Sequence, residues 1–82
     1  MKKLSPIKVI LKQKKMTQRD FAVACDLSFP CISDVAAGAY KTLPVKVTQG
    51  LKALGYNPEE VQREYNQYRL EERENIMKGV TV

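Results

Sequence analysis

The chain has 82 residues, 44% of them hydrophobic and 28% charged, with no tryptophan, no histidine and a net charge of +5. That length holds one domain, near the lower limit for a core without staples, and the apolar fraction is that of a globular chain. No run of about 18 apolar residues is present, so no membrane-spanning helix is expected. The N-terminal lysines lack the apolar segment of a secretory signal, and the expected location is the cytoplasm.

Charge is unevenly placed. Residues 1–19 carry seven Lys/Arg and no acid, residues 20–56 carry three of each sign, and residues 57–82 carry four Lys/Arg against six Glu. A basic first fifth attracts phosphates or simply solubilises a helix; an acidic tail avoids nucleic acid or faces a partner. The two cysteines, Cys25 and Cys31, have no histidine to help them complete a tetrahedral zinc site, so no metal is expected. Cys25 falls on an apolar position and reads as a small core residue, whereas Cys31 is open to a redox role. The usual general base is missing, neither cysteine has an evident activating base, and no glycine-rich phosphate loop appears, so neither an enzyme nor a cofactor is expected.

In chain order, Ser5-Pro6 starts a helix near 6–14, with serine as cap and proline in the first turn. Ile7, Ile10 and Leu11 form its apolar stripe, and Leu4 is placed to staple onto Val9. Lys2 and Lys3 precede this helix as a basic arm. Thr17 caps a second helix near 18–25, with Asp20 completing a capping box and Phe21 and Cys25 on one inward face. Asp26-Leu27-Ser28 breaks the period. Ser28 caps a third helix near 29–37, Pro30 sits in its first turn, Ile32 and Val35 point inward, and Gly38 ends it.

This stretch resembles the helix-turn-helix of the phage-repressor-like family (lambda repressor/Cro, Xre-type). The matching positions are Gln18, the small Ala22 at the helix crossing, and apolar Phe21, Cys25, Leu27, Ile32 and Val35. Asp26 departs from the pattern by standing where the family usually has a turn glycine; Asp tolerates the left-handed conformation better than most residues. The resemblance covers roughly residues 5–56. It implies a five-helix all-α DNA-binding domain whose third helix enters the major groove. It also implies a sequence-specific regulator, typically a small repressor of phage, mobile-element or bacterial origin.

Carried onto this chain, the base-reading face falls on Ser28, Phe29, Pro30, Ser33 and Asp34, with Ala37 also outward. No Arg, Lys, Gln or Asn lies between Ser28 and Ala37, so the common bidentate base contacts are absent. Apolar contact from Phe29 and Pro30 to thymine methyls, Ser33 to either base type and Asp34 accepting from cytosine N4 remain. Phosphate contacts fall on Lys2, Lys3, Gln18, Arg19, Lys41 and Thr42. Ordinary surface roles are the alternative for each, and Phe29 with Pro30 can equally pack on another protein.

After Gly38 a loop over 39–43 leads to a fourth helix near 44–54, capped by Thr42 or entered through Leu43, with Val47, Leu51 and Leu54 inward. Gly50 inside it implies close approach of another helix, and Gly55 ends it. Asn57-Pro58-Glu59-Glu60 opens a fifth helix near 58–76. Its stripe of Val61, Tyr65 and Tyr68 either closes the core or forms a dimer seam. Residues 1–56 are then the core of the domain and 57–82 its C-terminal helix and tail. Double-stranded DNA and a second copy of the chain are the expected partners. The competing reading is a protein-interaction module of antitoxin or antirepressor type.

Overall fold

The computed structural model describes residues 4–80, and all regular structure among them is helical. Five helices follow in order: α1 Pro6–Gln13, α2 Gln18–Ala24, α3 Phe29–Ala37, α4 Val45–Ala53 and α5 Pro58–Val80. Lys2 and Lys3 lie outside the described residues.

Side-chain caps start the first three helices. Ser5 Oγ accepts from the Lys8 N–H and Ser28 Oγ from the Cys31 N–H. Between them stands a full capping box: the Asp20 N–H donates to Thr17 Oγ1 at 3.0 Å and the Thr17 N–H to Asp20 Oδ2 at 3.1 Å. These bonds to Thr17, backbone first, hold the Asp20 carboxyl below its ordinary 3.8. α4 differs from expectation. Its N-cap is Pro44, which has no side chain able to cap, and Thr42 makes no capping bond.

The first four helices all stop in one way. At each end one residue turns left-handed: Lys15 at φ 55°, Asp26 at 56°, Gly38 at 90° and Gly55 at 93°. The next N–H then reaches back five residues, Met16 to Leu11, Leu27 to Ala22, Ala39 to Asp34 and Tyr56 to Leu51, at 2.9–3.0 Å. This is the Schellman closure, which satisfies the orphan carbonyls of a helix end and reverses the chain sharply. Asp26 therefore performs the glycine's turn, as its residue type allows.

α2 packs against α3, α1 against both α3 and α5, and α4 against α5. Ile7, Phe21, Ile32, Val35, Val47, Leu51 and Tyr65 are fully buried at their common centre. Gly50 is where α4 crosses α2: a Cβ there would lie 2.6 Å from Cys25 Sγ and 3.4 Å from the Phe21 ring. Leu43 is also buried, and its N–H donates to Gln62 Oε1 at 2.9 Å, tying the loop before α4 to α5.

On the flanks, Leu4 and Val9 are partly exposed and line, with Tyr56, a cleft of about 520 Å³ between α1 and the start of α5. α5 continues to Val80 instead of ending near residue 76, because the polar run after Leu70 contains no helix breaker before Gly79. No described helix is long and apolar enough to cross a membrane.

Candidate nucleic-acid interface

α3 has one face consumed by the core and one face left outward. Ile32, Val35 and Ala36 are fully buried. Ser28, Phe29, Pro30, Asp34 and Ala37 are exposed, Phe29 at 51%, and Ser33 is half-buried on the boundary. The five residues assigned to base reading thus come together over the first turn and a half of α3. Ser33 is the least accessible of them.

The far end of α3 is fastened by three side chains from elsewhere in the chain, the α1 cap and two residues of α5. Ser5 Oγ donates to the Ala36 carbonyl at 2.6 Å, the Tyr65 hydroxyl to the Val35 carbonyl at 2.7 Å, and Arg69 Nε to the Gly38 carbonyl at 2.9 Å. Carbonyls at a helix C-terminus carry excess negative charge and lack intrahelical donors, so hydroxyl and guanidinium donors suit them. Sequence reading assigned Ser5 as a cap alone; its second bond spans 31 residues and leaves no periodic trace.

Tyr65 also carries a correction. With Val61 and Tyr68 it was a candidate dimer seam, but all three side chains are buried within the single chain. The stripe closes the core, and surface already spent on intramolecular packing is not free for a second copy. Burial pushes the Tyr65 and Tyr68 phenols up from their ordinary 10.0.

The phosphate candidates are spread around α3. Gln18 opens α2 half-buried, Arg19 beside it is exposed, and Lys41 and Thr42 are exposed in the loop after α3. Lys46 was missed. Its ammonium sits at the α2–α3 turn, 3.3 Å from the Asp26 carbonyl and 3.5 Å from Asp26 Oδ2. The pair spans 20 residues, which hides it from any local pattern, and both partners are solvated, so it adds little stability. What it does is offset the Asp26 carboxylate beside the entry to α3.

Cys31 is half-buried beside Tyr40. Its sulfur lies 3.3 Å from the Tyr40 hydroxyl, and this bond, with the nearby thiol's charge, raises the Tyr40 pKa above 10.0. Cys25 is buried against α4, and desolvation raises its thiol above 9.0. Both cysteines are free, and no group of three or more potential metal ligands forms among the described residues.

Among the described residues the architecture is all-helical, with five helices. Comparison of the chain with protein-family models, curated proteins and solved structures finds no match.

Proposed function

We propose that the chain binds DNA sequence-specifically as a small transcriptional regulator, acting as a homodimer on a two-fold site. The observation that carries this reading is the division of α3, with an inner face fully buried and an outer face open from Ser28 to Ala37. A helix held this way presents its N-terminal side chains as a rigid probe of major-groove width.

In this reading Phe29 and Pro30 contact thymine methyls, Ser28 and Ser33 supply hydroxyls, and Asp34 accepts from cytosine N4. Gln18, Arg19, Lys41 and Thr42, with the basic N-terminal arm, grip phosphates. The Lys46 ammonium reduces the repulsion that Asp26 exerts on the backbone. With no Arg or Asn on the reading face, DNA shape carries part of the specificity.

One observation favours a protein partner instead: Val23 is 77% exposed on α2 and Phe29 51% on α3, and exposed apolar side chains are a mark of protein contact surfaces. Selection from random duplexes with sequencing, repeated across salt, separates the readings. Enrichment of a two-fold motif that is lost in Phe29→Ala supports base reading. Absence of binding at low salt contradicts it and favours the protein partner.

A further inference from the structure

With the Val61–Tyr65–Tyr68 stripe used up in the core, the apolar surface left on α5 lies further along, at Leu70, Ile76 and Met77, which are 49%, 61% and 51% exposed. They sit on the part of α5 that outruns the body, where residues 73–79 are all exposed. Leu70, Arg73, Glu74 and Met77 follow one another at i, i+3, i+4 and i+7, which places them on one helix face. Arg69, whose Nε is bonded to the Gly38 carbonyl, stands at the root of this tail.

The same segment walls a cleft of about 950 Å³ between α5 and the loop after α3. Lys41, Arg69 and Arg73 supply cations there against one acid, Glu72, and Ile76 and Met77 give an apolar floor. The occupant of such a cleft should be an apolar helix with a surplus of acids. The chain carries one: residues 70–77 combine Leu70, Ile76 and Met77 with Glu71, Glu72 and Glu74 against the single Arg73.

We infer that the α5 tail is the homodimer seam, each tail lying antiparallel against the other along the α5 wall of its partner's cleft and leaving Lys41 and Thr42, on the loop wall, open. A two-fold axis between positions 73 and 74 sets Leu70 against the partner's Met77. The same operation sets Arg73 against the partner's Glu74, so one register satisfies the apolar and the charged pairs together. Because the tail is both wall and occupant, the contact is self-complementary, as a two-fold interface must be. This deepens the dimeric part of the DNA-binding proposal, but its readout needs no DNA, so the two fail separately.

The test is sedimentation equilibrium on the full chain, with helicity checked by circular dichroism. The wild-type protein is expected to be dimeric at micromolar concentration. Leu70→Asp with Met77→Asp should weaken association by on the order of 100-fold without loss of fold, since both side chains are half exposed in the monomer. Arg73→Glu and Glu74→Arg should each weaken the dimer, and the two together should restore it. A monomeric wild-type chain overturns the inference, as does a dimer indifferent to Leu70→Asp/Met77→Asp or a charge swap without rescue. If the monomer instead captures an acidic amphipathic peptide in the cleft, the occupant is a foreign segment and the self-pairing is likewise overturned.

Discussion

The Tyr65 hydroxyl donates to the Val35 carbonyl at 2.7 Å, joining the middle of α5 to the last turn of α3 across 30 residues. The ring is fully buried, so Tyr65→Phe keeps the packing and removes only the donor. Stability should fall by about 1 kcal/mol, read as a lower urea midpoint with unchanged slope. An unchanged midpoint would mean that α3 is held by packing alone.

The same burial predicts an alkaline limb. The Tyr65 phenol keeps its proton in the folded state beyond its ordinary 10.0, so on raising pH the unfolded chain ionises first. The stability this group contributes is fully present below pH 10 and is lost as pH rises through its higher folded value. Tyr65→Phe should make stability less steep above pH 10 in urea titrations. Some slope should remain, because the Tyr68 and Tyr40 phenols and the Cys25 thiol shift in the same direction.

Gly50 and Cys25 share a space that holds only one of two side chains. Gly50→Ala gains about 1 kcal/mol in helix propensity but pushes a Cβ to 2.6 Å from the buried sulfur. Overpacking of this kind costs about 1–3 kcal/mol, so the single variant should be destabilised on balance. In the background of Cys25→Ala the same substitution should become neutral or stabilising. A double-mutant cycle by thermal unfolding measures the coupling.

The repeated Schellman ends give a contrast of opposite sign. Lys15 sits at φ 55° without the freedom of glycine, and Lys15→Gly should raise stability by roughly 0.5–1 kcal/mol. Gly38 sits at φ 90° with the Tyr68 ring 2.9 Å from where a Cβ would stand. Gly38→Ala should lower stability by about 1–3 kcal/mol, since strain and clash act together.

Features made by neighbours in sequence were legible in advance. Ser5, Thr17 and Ser28 as caps depend on bonds to the third residue on, and Ile32 with Val35 on the spacing of one helical face. The close approach at Gly50 was also legible, because a glycine in mid-helix is costly without a packing reason. The fastening of α3 by Ser5, Tyr65 and Arg69 was not, because those pairs are set by how helices cross. The Tyr65 stripe shows the deeper limit. Apolar spacing marks which face is covered and is silent on whether its own core or a second copy covers it. The outward set on α3 followed from the helical wheel, while the Lys46–Asp26 pair beside it had no local signature.

The most direct test of the central claim is an amide chemical-shift titration of the full chain with a selected duplex. The account predicts saturable changes concentrated at residues 28–34, joined by 18–19 and 41–42, with the cleft between α1 and α5 unmoved. Changes confined to another face, or none at low salt, would contradict α3 as the DNA-reading element.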